Sequence, residues 1–174
     1  MYILRNKHIK QNKMQNKLMS SEIDKTIIVQ DNTTTVELSD AEIENLIFMY
    51  QEEKLAMDVY DYFYDTYNAK IFDNISNSES KHMSAVEDIL INSNINITDY
   101  QSLDAGLFID DSLQELYDNL ISKGSQSLTD ALEVGILIEE VDIEDLINTI
   151  ENEDYSVIID NVYENLLNGS ENHV

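Results

Sequence analysis

An acid and a histidine one helical turn apart, Glu79 and His82, interrupt an otherwise apolar repeat made by Phe72, Ile75, Val86 and Ile89. Alternating spacings of three and four residues place all six on one face of an α-helix. A carboxylate and an imidazole on a buried face need a partner, because an unpaired buried charge is costly or titrates to neutral. A metal ion suits both. The pattern recurs. Ile43, Leu46, Tyr50, Glu53, Met57, Tyr60 and Tyr64 form a second stripe with Glu53 at its centre and Glu52 just off it. Leu128, Leu132, Gly135, Glu139, Asp142, Leu146 and Ile150 set two acids one turn apart in a third. Ile159, Val162, Leu166, Gly169 and His173 end a fourth on a histidine. Four helices that each aim oxygen or nitrogen donors into one interior build carboxylate-bridged di-metal sites.

The donor set is thus Glu53, Glu79, His82, Glu139, Asp142 and His173. Several carboxylates crowded together repel one another and stay partly protonated, whereas two divalent cations cancel that charge and keep them ionised. Some positions carry alternatives. The third helix is apolar on more than one side, so Glu140 competes with Glu139 for the inward place. Glu164 lies one position off the fourth stripe and reads as a solvated acid. Tyr50 and Tyr60 read as core aromatics whose hydroxyls reach a polar partner, a ligating carboxylate being one choice.

These side chains need long helices, and the sequence supplies them. Ser39-x-x-Glu42 makes a capping box, with Leu38 able to staple onto Ile43, so order begins there and a first helix runs to about Tyr67. A short turn at 68–70 makes the second helix, ending near Asn92-Ser93-Asn94, its antiparallel neighbour. Residues 95–127 are too long for a hairpin turn and read as a crossover with its own short helix (Leu113, Leu116, Tyr117, Leu120, Ile121), closed by Lys123-Gly124 as a C-cap. A third helix over Ser127 to about Glu151 and a fourth from about Tyr155 complete the set. Two hairpins joined by one long crossover is the connectivity of ferritin-like bundles. The expected fold class is all-α: a ferritin-like four-helix bundle of two antiparallel helical hairpins, with a long crossover carrying a short extra helix.

Composition agrees. The 174 residues, 43% of them apolar, suffice for one domain with a core, and the absence of proline with only four glycines favours long helices. With no cysteine, a metal must be held by oxygen and imidazole, a set that suits iron, manganese or zinc. The net charge of −25 argues against nucleic acid and disfavours anionic membranes as partners. Residues 1–37 are polar and basic, with Arg5, Lys7, Lys10, Lys13, Lys17 and Lys25, and are expected to form a mobile arm that includes His8; the folded domain is expected over 38–174. Met14 and Met19 are alternative starts. No secretory signal or spanning segment is apparent, which makes the cytoplasm the expected location.

Several stretches resemble a prokaryotic ferritin-like family known only as a domain of unknown function, within the ferritin- and rubrerythrin-like di-iron carboxylate superfamily. They are Glu52-Glu53-Lys54-Leu55-Ala56, Ser78-Glu79-Ser80-Lys81-His82-Met83, Val134-Gly135 leading to Ile138-Glu139-Glu140-Val141-Asp142-Ile143, Val162-Tyr163-Glu164-Asn165-Leu166-Leu167 and Gly169-Ser170-Glu171-Asn172-His173. The match spans roughly 39–174. It implies two metal ions, iron first, acting on dioxygen or peroxide with an external reductant, since no thiolate donor is present in the chain. A fold alone does not fix an activity. A metal-binding protein without turnover, and a structural bundle whose acidic face binds a basic partner, are the rival expectations; a homodimer is compatible with all three. One departure stands out: many di-iron members carry a second Glu-x-x-His on the fourth helix, whereas this chain has Ser170-x-x-His173, leaving Asp142 or Glu164 to replace the carboxylate. His173 also sits in a last turn, prone to fray unless a metal or a neighbouring subunit orders it.

Overall fold

The computed structural model describes residues 37–153 and 155–174. Among them are six helices and no strand: α1 (Asp40–Tyr67), α2 (Lys70–Asn92), α3 (Thr98–Gln101), α4 (Asp111–Gly124), α5 (Leu128–Asn152) and α6 (Val157–His173). The chain is all-α. The basic arm expected over 1–37, with His8, lies outside the described residues except for Glu37. None of the helices is long and apolar enough to cross a membrane, among the described residues.

Local chemistry sets the ends of α1. Ser39 Oγ accepts from the Glu42 amide at 3.3 Å while the Ser39 amide donates to Glu42 Oε2 at 2.7 Å, the reciprocal capping box read from the sequence. At the other end Asn68 takes a left-handed conformation (φ 52°, ψ 32°), one that asparagine tolerates, and its amide donates to the Tyr64 carbonyl. Two residues then separate α1 from α2, so the chain reverses and the two helices pack along their lengths. Helices α5 and α6 pair likewise, α4 packs on α1 and α5, and α6 reaches α2.

The apolar core is split in two. One cluster joins Leu55, Val59, Tyr60, Phe63, Phe72 and Ile75 to Phe108, Leu113, Leu120, Ala131 and Val134. The other joins Leu46, Met49, Tyr50, Val86, Ile89 and Leu90 to Ile97, Leu146, Ile159, Tyr163 and Leu166. The changeover falls between Tyr50 and Leu55 on α1, between Ile75 and Val86 on α2, and between Val134 and Leu146 on α5. Those gaps hold Glu53, Glu79 with His82, and Glu139, all buried. A polar belt therefore crosses the interior between two apolar halves.

The structure corrects three local readings. Leu128 and Leu132 are 43% and 40% exposed, while Ala131 and Val134 are buried in their stead. Gly135 faces Tyr60, whose ring lies 3.2 Å from where a Gly135 Cβ would stand, and the larger leucines are turned outward. Gly124 is not a left-handed cap: α4 continues through it and stops at Ser125. Its hydrogen side is filled by the Phe63 ring, which a Cβ would meet at 2.1 Å. On α6 the fully buried aromatic is Tyr163, and Val162 is only half-buried. The crossover holds one element that was not anticipated, the single turn α3.

Candidate metal centre

Glu53, on the middle of α1, is 1% exposed, and no hydrogen-bond partner reaches its Oε1. Opposite it on α2, the i, i+3 spacing of Glu79 and His82 brings His82 Nδ1 to 2.8 Å from Glu79 Oε2 and 3.4 Å from Glu53 Oε2. From the last turn of α6, His173 Nδ1 lies 2.9 Å from Glu79 Oε1 and 3.0 Å from Glu139 Oε2 on α5. Glu79 thus lends one oxygen to each histidine. Two donor groups follow, Glu53–Glu79–His82 and Glu79–Glu139–His173, each with its ligand atoms within 4.8 Å of one another. The two imidazoles stack, with ring centroids 6.0 Å apart.

Partners around these groups hold them in place. The Tyr60 hydroxyl donates to Glu139 Oε1 at 2.5 Å and lies 3.1 Å from the Gly135 carbonyl. Ser170, fully buried on α6, donates to Asp142 Oδ2 at 2.6 Å and also approaches the Leu166 carbonyl. A donor that orients a carboxylate fixes which lone pairs it offers to an ion.

The electrostatics are those of too many acids in too little water. Burial pushes the Glu53 carboxyl well above its usual value, and the charges of Asp142 and Glu79 push it further. Burial would raise Glu79 as well, but hydrogen bonds from His173, His82 and Glu53 outweigh it and draw the group down to about 2. Asp142 is raised to about 7 by burial and by Glu79 and Glu139, against the Ser170 hydrogen bond. Burial pulls His173 down, but its bonds to Glu139 and Glu79 prevail and lift it to about 10. Tyr60 is pushed well up by burial and then by Glu139. Without a cation, then, burial and neighbouring charge favour the protonated form of Glu53, and the two acids that His173 contacts favour its imidazolium. With its spare oxygen and its oxygen–imidazole donors, it is chemically matched to divalent cations.

Five of the six residues picked from the sequence converge here. Asp142 stands beside them, close enough to raise Glu53, but belongs to neither donor group and is held by Ser170. On α5 Glu139 is buried and Glu140 exposed, and Glu164 on α6 is exposed. Ser170 was visible only as the residue standing where a carboxylate was expected. A buried pair on the other flank of α1 escaped notice altogether. Lys54 Nζ meets Asp58 Oδ2 at 2.5 Å and the Asp104 carbonyl at 3.1 Å, and lies 4.7 Å from the centre of the Phe108 ring. Asp58 also accepts from the Gly106 amide at 2.8 Å. Lys54 and Asp58 pin the crossover to α1; their four-residue spacing was the signal available.

An all-helical chain with this belt matches, over residues 42–174, the family described as an uncharacterized protein domain (DUF2202), and it belongs to that family. Its relatives include the uncharacterized protein MJ0754 of Methanocaldococcus jannaschii, 46% identical over 141 residues that make up 79% of this chain and 73% of the relative. The crystal structure of hypothetical protein MJ0754 from Methanococcus jannaschii is similar at a TM-score of 0.72 and 41% identity, covering 88% of this chain and 81% of that one.

Proposed function

We propose that the chain is a ferritin-like four-helix bundle that binds two metal ions, iron in the first instance, and reacts with dioxygen or peroxide. One observation carries the reading: Glu79 is shared by two donor groups, each a pair of carboxylates with one histidine Nδ1, in a belt between two apolar halves. The pairing of α1 with α2 and of α5 with α6 across a long crossover supports the bundle. Bound iron would supply electrons to the oxidant, passing from ferrous to ferric.

The chain's own residues do the rest. Glu79 would be shared by the two ions, with Glu53 and His82 completing one donor set and Glu139 and His173 the other. Cation binding would favour the ionised carboxylate of Glu53 and the neutral imidazole of His173, so loading would release protons. Tyr60 keeps Glu139 turned so that its other oxygen faces His173. The two apolar clusters exclude water from either side of the belt. With no cysteine in the chain, turnover draws on an external reductant.

The experiment is an anaerobic Fe(II) titration of the wild type beside a Glu79→Gln/His82→Ala variant, followed by oxygen. The variant is required because so acidic a surface binds cations weakly everywhere. About two tight equivalents per chain in the wild type alone, with ferric absorption after oxygen, is the expected result. Equal weak binding in both would overturn it. A structural bundle is the second reading, favoured by the fact that both histidines already pair with acids of the belt. It predicts a melting temperature indifferent to metal and to chelator, because an ion that binds only the folded state raises stability by mass action.

A further inference from the structure

Gly169 lies on α6 one turn before His173, and its backbone abuts the His82 ring. A Cβ at this position would stand 2.3 Å from His82 Nε2 and 2.5 Å from Cε1, both far inside van der Waals contact. The ring has little freedom to yield, because its other nitrogen is held between Glu79 and Glu53. Gly169 sits within α6 and has no left-handed φ to explain it. Glycine inside a helix lowers helix stability relative to alanine, so here it is required by space rather than by backbone conformation.

Residues four apart share a helix face, so the depth to which α6 sinks at Gly169 also sets the height of His173 over Glu79 and Glu139. We infer that Gly169 is a positioning residue of the metal centre: its missing side chain is a notch that seats the His82 ring with Nδ1 towards Glu53 and Glu79, and lets α6 approach until His173 completes the second donor group. The inference rests on the metal-centre reading given above. It assigns a role to α6 beyond supplying a ligand, since the same helix decides which nitrogen of His82 faces the acids.

The test is a Co(II) titration of the wild type, Gly169→Ala, His82→Ala and the double variant, read by visible absorption, with thermal melting of each protein free of metal. Gly169→Ala is expected to lose about ten- to hundredfold in affinity, the usual effect of disturbing a residue that orients a ligand, and to change the absorption spectrum. In the His82→Ala background the same substitution should cost nothing further, because no ring remains to be displaced, so the double-mutant cycle is strongly non-additive. A purely local role predicts the reverse: alanine improves α6, melting rises and affinity is unchanged. Should Gly169→Ala fail to fold, the double variant must recover, and a double variant that also fails overturns the inference. Tight wild-type binding matched by Gly169→Ala removes the notch and leaves the metal centre standing. Wild-type binding no tighter than that of His82→Ala removes the metal centre, and the notch with it.

Discussion

Tyr60 on α1 donates its hydroxyl proton to Glu139 on α5 across 2.5 Å, and the other oxygen of that carboxylate faces His173 at 3.0 Å. The phenol thus stands behind a candidate ligand. A buried hydroxyl hydrogen-bonded to a carboxylate restricts its rotation and steadies its charge in a low-dielectric interior.

Tyr60→Phe keeps the ring in the core and deletes only that donor. It should lower stability by about 1–3 kcal/mol, since Glu139 is left with an unsatisfied buried oxygen. It should also weaken cation binding roughly ten- to hundredfold. Denaturant unfolding and a competitive metal titration check both, and an unchanged affinity would reduce Tyr60 to a packing residue.

How much of this was legible in advance differs from helix to helix. On α2 every residue of the predicted stripe is buried, because that helix buries a single face and the contrast with its polar side is sharp. On α1 everything from Met49 to Ala56 is buried, including Gln51, Glu52 and Lys54. Neighbours on several sides erase the amphipathic contrast, so the stripe found Glu53 but could not foresee that Lys54 and Asp58 are interior too. On α5, apolar residues lie on more than one side, and the small residues Ala131 and Gly135 won the inward places through close approach rather than hydrophobicity. The roles of Ser170 and Gly169 depend on helices brought together from afar, which no local period encodes.

Removing one member of the buried ion pair on α1 should be far more damaging than its distance from the donor groups suggests. Lys54 and Asp58 are 6% and 4% exposed, and Asp58 also anchors the crossover through the Gly106 amide. Asp58→Ala strands a buried ammonium and is expected to cost about 3–5 kcal/mol. Urea unfolding measures the loss; a drop below about 1 kcal/mol would mean the crossover is held mainly by Phe108 and Leu113.

Free of metal, the protein should lose stability as pH rises. The folded state keeps a proton on His173 up to about 10, while the unfolded chain releases it near 6.5. Between those values the folded state binds more protons, so stability falls as pH increases: the contribution of His173 is complete below about 6.5 and gone above about 10. Asp142, raised from 3.8 to about 7, acts in the same sense over its own range. Glu79, lowered from 4.5 to about 2, acts oppositely; its contribution is present above 4.5 and lost as pH falls through 2. Unfolding of the chelated protein across this range should therefore show greater stability at mildly acidic than at alkaline pH. A curve that climbs from neutral to alkaline pH would contradict the pairing of His173 with Glu79 and Glu139. Cation affinity should run the other way and rise with pH, because the ion must displace those protons.

Glu53 and Glu79 differ by one position in role, and their amides should separate folding from ion binding. Burial, and then the charges of Asp142 and Glu79, favour the protonated form of Glu53 in the metal-free belt. Glutamine there has the shape and neutrality of the acid it replaces, so Glu53→Gln should leave the melting temperature of the chelated protein unchanged or slightly higher. It should still abolish tight binding in the group with His82, because a neutral amide is a poor ligand for a divalent cation. Glu79 is the ionised acceptor between the two histidines. Glu79→Gln removes the charge from both contacts, which should cost roughly 1.5–3 kcal/mol for each charged hydrogen bond lost, with or without metal. Calorimetry of the two variants, with chelator and with excess Fe(II), reads both effects at once. Metal-induced stabilisation undiminished in both would place the cations elsewhere on the acidic surface, whereas its full loss in Glu79→Gln and partial loss in Glu53→Gln, with only Glu79→Gln weakened in chelator, is the pattern that two donor groups sharing one carboxylate require.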